Sequence, residues 1–219
     1  MREYPKINTI WKRDDRGRVI EGEYATPELE YLADLAWEWT EKVNGTNIRI
    51  GWDGAKPPLG DYEIGGRTAD AQIPAKLVAA LRELIKPELM RAAFDDEGSR
   101  PPGHGASVTL YGEGYGAGIQ KGGGNYSADQ TFVLFDVVVD GWWLDRENVA
   151  DVGRKLGLRV VPVVGRGNLA YASEAMKHDP ISAWGDFAME GIVGRPAVDL
   201  FDRRGERIMA KIKVRDFRP

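Results

Sequence analysis

The chain has 219 residues, 42% hydrophobic and 29% charged, the proportions of a soluble protein that can bury a full core. It has no cysteine and two well-separated histidines, His104 and His178, which excludes disulfides and thiol nucleophiles and argues against zinc. A net charge of -4 argues against coating nucleic acid by bulk charge, and the apolar runs are too short to span a bilayer.

The N-terminal "MREYPKINTIWKRDDRGR" has no apolar signal region, so the expected location is cytoplasmic, with no membrane partner. "TPELEYLADLAWEW" reads as a helix capped by Thr26, with Pro27 in its first turn and Leu29, Leu32, Leu35 and Ala36 near one face. "NIRIGWDG" reads as a strand entering an Asp53-Gly54 turn, and "YEIGGRTA" as a short strand. "PAKLVAALRELIKPELMRAAF" reads as a helix with Leu77, Leu81, Leu84 and Ile85 on its apolar face, bent at Pro87. "GSRPPGHGA" reads as a loop.

"SVTLYGEGYG" starts as a strand and dissolves into glycine. "TFVLFDVVVDGWWL" reads as a buried strand turning at Asp140-Gly141. "DRENVADVGRKLGL" is a helix capped by Asp145, "RVVPVV" a strand, and "NLAYASEAMK" a short helix. "EGIVGRPAVDL" and "ERIMAKIKVRDF" pair as a hairpin around "DRRG". Irregular alternation with several hairpins predicts an α+β fold of mostly antiparallel sheets with flanking helices, in a single domain over residues 1–219.

The charge is uneven. Residues 195–219 carry eight basic and four acidic side chains, leaving -8 for residues 1–194. That asymmetry fits a local phosphate-binding surface and fits a solvated edge hairpin equally well. Within it, Lys211 and Lys213 stand at i and i+2 of a strand, so they share a face. On the same alternation Ile208, Ala210, Ile212 and Val214 point to the core, and Met209 points away with the lysines. Two lysines side by side repel, and a polyphosphate between them reverses the sign; an edge strand guarded against aggregation is the alternative.

Glu190 opens the partner strand, placed to hold a metal or a sugar hydroxyl, or simply to neutralise the lysines. Glu113 lies among glycines, where a ligand can approach the backbone or where a plain turn acid would sit. Phe135 reads as core, or as a ring for a purine to stack on. Lys42, in "EKVNGTNIRI", reads alone as a solvated charge or as a nucleophile. "GEGYGA" matches a dinucleotide fingerprint, but "GIQKGGG" follows and cannot open the helix that fingerprint needs. The seven glycines of residues 112–124 read instead as a loop from which Lys121 can reach phosphate.

Together and in order, these motifs resemble those of the covalent nucleotidyltransferases, and within them the ATP-dependent RNA ligases of the second phage type and the kinetoplastid RNA-editing ligases. Glu41 to Asn47 is similar to their nucleophile motif E-K-x-x-G-T-N, and "GGRTA" to the arginine motif around Arg67. "LYGEGYG" matches motif III through Glu113, "FVLFDV" motif IIIa through Phe135 and Asp136, "EGIVGR" motif IV through Glu190, and "KIK" motif V through Lys211 and Lys213.

The resemblance implies a ligase-type nucleotidyltransferase domain around an ATP cleft. Lys42 would take AMP from ATP, and Lys211 and Lys213 would grip the α-phosphate. Glu41 would contact the nucleotide, Asn47 the nucleotide or the phosphate of the acceptor end, Arg67 and Glu113 would hold the ribose, and Phe135 would stack on adenine. Glu190 would help place Mg2+ or Mn2+. The implied partner is RNA, a nicked duplex included, with 5′-phosphate and 3′-hydroxyl ends. Asn44 stands where DNA ligases and capping enzymes carry Asp, which favours the RNA-ligase branch. Only six residues follow Lys213, where relatives continue into a further domain, so the domain is expected to work alone, or with a protein that supplies the rest, or as part of a longer natural protein. A minimal DNA ligase, a cap guanylyltransferase and an end-binding module without turnover are the alternatives.

Overall fold

The computed structural model describes residues 1–56, 61–68, 70–94 and 105–218. In chain order the first strands are β1 (Asn8–Thr9), β2 (Trp11–Arg13) and β3 (Val19–Tyr24), followed by helix α1 (Pro27–Tyr31). Strands β4 (Trp37–Glu41), β5 (Thr46–Asp53) and β6 (Asp61–Gly65) lead to helices α2 (Ala75–Leu84) and α3 (Pro87–Phe94). Strands β7 (Ser107–Tyr115), β8 (Thr131–Val139) and β9 (Trp142–Trp143) precede helix α4 (Arg146–Leu156). Strands β10 (Arg159–Val160) and β11 (Val163–Gly167), helix α5 (Leu169–Ala175), and strands β12 (Gly191–Pro196) and β13 (Ala210–Lys213) complete the order. Among the described residues no helix is long and apolar enough to cross a membrane.

The chain packs as two compact units, Met1–Tyr4 with Asn44–Val160, and Pro5–Val43 with Val161–Pro219. The first unit is built on a six-stranded sheet in the order β10-β8-β7-β5-β6, with β9 pairing β8. Its pairings are antiparallel except β10 with β8. One sheet face buries Ile48, Ile50, Val108, Leu110, Phe132 and Leu134 against Leu77 and Leu81 of α2 and Val149 and Leu156 of α4. The second unit is built on a five-stranded sheet in the order β1-β13-β12-β4-β11, antiparallel except β1 with β13. Its core joins Trp37, Trp39, Ile192 and Ile212 to Leu29 of α1 and Leu169 of α5. The α+β class with mostly antiparallel sheets and flanking helices is the one the sequence indicates.

Several local expectations need correction. The helix from Thr26 ends at Tyr31, and Trp37–Glu41 is a strand. Trp37 and Trp39 stand two residues apart with rings stacked 5.7 Å apart, both buried, so a period of two overrides the helical spacing. Leu35 and Ala36 are exposed, not part of an apolar face. Pro87 does not bend one helix but starts a second, because a proline fits a first turn and not an interior. "RVVPVV" is two strands in different sheets, parted around Pro162, which has no N–H for a ladder. "LYGEGYG" stays a strand to Tyr115, since its glycines pair with β5 and β8. Met209 is buried, so the lysine face of β13 starts at Lys211. The expected loop at 98–106 lies mostly outside the described residues, as does His104. The other predicted elements stand, including the Asp145 cap, whose side chain accepts from Asn148 N–H at 2.8 Å.

Candidate active site

Three neighbouring strand ends of the second unit bring Lys42, Glu190 and Lys213 together. In the sheet, β12 lies between β13 and β4. Lys42 follows β4, Glu190 precedes β12, and Lys213 ends β13. The register holds them level: Gly191 opposes Lys213, and the Lys42 N–H donates to Gly191 O at 2.9 Å. A side chain at position 191 would run into the backbone of Ile212 and Lys213, so only glycine allows the strands to close here. Glu190 then sits between two cations. Its Oε2 accepts from Lys42 Nζ at 2.8 Å and its Oε1 from Lys213 Nζ at 2.6 Å.

All three side chains are largely enclosed, at 15% to 23% exposed. Lys211 lies two residues before Lys213 on the same strand face and is half-buried. Two ammonium groups on one carboxylate leave the cluster positive, which suits an incoming polyphosphate. The Lys213 backbone is fixed in turn, its N–H donating to Asp216 Oδ2 at 3.0 Å while Arg13 pairs with Oδ1 at 2.8 Å.

Glu41 does not join this cluster. It is 1% exposed, its Oε1 accepts from the Ser182 hydroxyl at 2.5 Å and its Oε2 from the Ala183 N–H at 2.8 Å. Burial raises its carboxyl above the ordinary glutamate value, and the two hydrogen bonds only partly offset that. The carboxylate clamps the 182–183 segment rather than facing the lysines.

The remaining predicted residues belong to the first unit. On the sheet face opposite the core, Asn47 pairs in register with Glu113, and Arg49 with Tyr111. Asn47 Oδ1 is buried and has no hydrogen-bond partner, an acceptor available to a donor group. Gly45 lies so close to β7 that a Cβ would meet the Gly114 carbonyl oxygen and the Glu113 side chain. Asn44 Nδ2 donates to Lys121 O at 3.2 Å, which ties the motif to the glycine-rich loop. Phe135 is half-buried on β8, and Arg67 is exposed beyond β6.

Four residues carry contacts that the sequence reading leaves without a role, although Asp136 already falls in the motif IIIa match. Arg49 is buried and donates to Gly66 O at 2.7 Å, which anchors the segment carrying Arg67. Tyr111 is buried and donates to Arg2 O at 3.0 Å. Asp136 is buried and accepts from the Tyr4 hydroxyl at 2.9 Å. Ser182 meets Glu41 from 141 residues away. An arginine alternating with two isoleucines in "NIRI" is the one sequence signal that marks Arg49 as facing away from the core.

The family model for RNA ligases matches residues 35–213. None of the curated proteins matches the chain by sequence. Among solved structures, the Naegleria gruberi RNA ligase with PPi superposes at a TM-score of 0.60 and 19% identity, covering 95% of this chain and 61% of that one. A lysine-to-methionine mutant of that ligase with AMP and Mn gives 0.60 and 18%, covering 96% and 61%. An archaeal ATP-dependent RNA ligase gives 0.59 and 15%, covering 99% and 49%. At these identities the likeness is one of fold, and the chain spans 49% to 61% of the length of these structures. The family match takes in every predicted site residue from Glu41 to Lys213, and on its extent the chain belongs to the RNA ligase family.

Proposed function

We propose that residues 1–219 act as one nucleotidyltransferase domain that seals RNA ends with ATP through a lysyl-AMP intermediate. The observation that carries this reading is the alignment of Lys42, Glu190 and Lys213 on three adjacent strand ends. Asn47, Arg67, Glu113 and Phe135 would supply nucleoside recognition, and Lys42, Lys211 and Lys213 the phosphate chemistry.

A lysine attacks phosphorus only as a neutral amine, and the Lys42 ammonium already donates to a carboxylate. Glu190 thus holds the nucleophile in place, and the Lys42 proton must leave to solvent before attack. Once Lys42 is neutral, its Nζ attacks the α-phosphorus, the N–P bond forms and pyrophosphate leaves. Lys211 and Lys213 stabilise the charge that builds on the phosphoryl oxygens. In the second step a 5′-phosphate oxygen of RNA displaces Lys42 from AMP. In the third, a 3′-hydroxyl attacks that phosphate, and AMP leaves as the phosphodiester forms.

Among the described residues no three His, Asp or Glu side chains cluster. One carboxylate beside several lysines fits a divalent ion carried by the nucleotide phosphates, with Glu190 as its protein ligand. Bound so, Mg2+ or Mn2+ would offset the charge of the leaving pyrophosphate.

The test is incubation with ATP labelled on the α-phosphate. The expected result is an acid-labile label on the protein that is lost in Lys42→Ala, followed by sealing of a nick with RNA at the 3′-hydroxyl. Retained ATP binding without label would sink the reading. Equal sealing of all-DNA nicks would move it to DNA ligation.

A further inference from the structure

Tyr4 lies outside every motif, yet it touches two consecutive motif residues. Its ring meets Phe135 at 4.9 Å between centroids and 69° between planes. Its hydroxyl donates to Asp136 Oδ2 at 2.9 Å. In a regular strand, consecutive side chains point to opposite faces, and one ring could not meet both from one side. The pairing of β8 with β7 explains the exception. Tyr111 opposes Asp136 and Gly112 opposes Leu134, which leaves Phe135 as an extra residue in a bulge. The core contacts show the same change of phase. Phe132 and Leu134 face the helices before the bulge, and Val137 does so after it.

The N-terminal residues are fastened to this face at further points. Tyr4 also packs on Tyr111, at 5.1 Å, and on Trp143, edge-on at 5.7 Å. Tyr111 holds the Arg2 carbonyl, and Arg49 Nη1 donates to the Met1 carbonyl at 3.3 Å. Phe135, by contrast, is half-buried and not sealed in the core.

We infer that Tyr4 is a positioning residue for the nucleotide base. It grips the Phe135 ring through an aromatic contact and fixes the bulge through Asp136, so that the ring is already oriented when a purine stacks on it. This rests on the reading that Phe135 stacks on adenine. A ring held in one rotamer loses less conformational freedom on binding than a free one.

The experiment is a double-mutant cycle on lysyl-AMP formation, with thermal melting of each variant. Tyr4→Ala should raise KM for ATP roughly three- to tenfold, the range of one lost aromatic pair, and leave kcat within about threefold. Tyr4→Phe, which keeps the ring, should change KM less than Tyr4→Ala does. In a Phe135→Ala background, adding Tyr4→Ala should change KM by less than about twofold, because the residue it acts through is gone. A KM for ATP unchanged in Tyr4→Ala, or an increase of the same size with and without Phe135, would overturn the inference. If Tyr4→Ala melts below the assay temperature, Tyr4→Leu takes its place in the cycle under the same criteria. No adduct in the wild-type protein would overturn the ligase reading and this inference with it.

Discussion

Glu190 accepts from Lys42 on one carboxylate oxygen, at 2.8 Å, while its other oxygen is held by Lys213 at 2.6 Å. Removing the acid leaves two enclosed ammonium groups facing each other, whereas removing Lys42 leaves the Glu190–Lys213 pair intact. Glu190→Ala should therefore cost about 1–3 kcal/mol of stability and lower adduct formation at least about a hundredfold. Lys42→Ala should abolish the adduct at a smaller stability cost. Urea titration beside α-labelled ATP would check the order; equal stability losses would show that Glu190 does not bridge the two lysines.

Glu41 gives a pH signature. Burial raises its carboxyl above 4.5, so the folded chain holds a proton at pH values where the unfolded chain has released it. Stability from this group therefore falls as pH rises from about 4.5 through the raised value. Glu41→Gln cannot titrate, so its stability relative to wild type should climb across that window and then level off. Ser182→Ala, which removes a donor from the buried carboxylate, should cost about 1–3 kcal/mol. A stability difference between Glu41→Gln and wild type that is flat between pH 4 and 8 would contradict the assignment.

Gly45→Ala tests how closely β5 and β7 approach. The added methyl meets a backbone carbonyl and the Glu113 side chain, and the carbonyl cannot move without parting the strands. A loss of about 1–3 kcal/mol is expected, with weaker ATP binding because Asn47 and Glu113 are register partners just beyond. A urea midpoint equal to wild type would mean that the strands separate freely.

Asn44→Asp restores the residue type of DNA ligases and capping enzymes. The carboxylate cannot donate, and it would face the Lys121 carbonyl that the Asn44 amide now holds. At an exposed site the stability cost should stay below about 1 kcal/mol. Faster amide exchange across residues 116–124 is expected, with no comparable change in α4. Unchanged exchange would show that the hydrogen bond does not hold the loop.

Much of the local structure follows from residues that act within a turn or a strand. Asp145 caps α4, and Asp140-Gly141, both at positive φ, turns β8 into β9. The i, i+2 spacing of Lys211 and Lys213 puts both on one face of β13 whatever surrounds them. These are short-range effects, and the sequence by itself determined them, together with the α+β class and the ordered motifs.

Only the tertiary structure decided which distant groups meet. Glu190 stands between Lys42 and Lys213 because β12 pairs with both β4 and β13, in a register no local pattern states. Glu41 looks like a nucleotide ligand beside Lys42 in the sequence, but alternation along β4 turns it into the unit toward Ser182. Trp37–Glu41 follows apolar residues at helical spacing, Leu29, Leu32, Leu35 and Ala36, and becomes a strand because the stacked Trp37 and Trp39 fill a sheet core. Phe135 and Asp136 reach the same face only through a bulge, and Tyr4 reaches them across more than 130 residues of chain. Side-chain direction, strand register and long-range contact come from packing the whole chain, and there the local sequence pattern carries no signal.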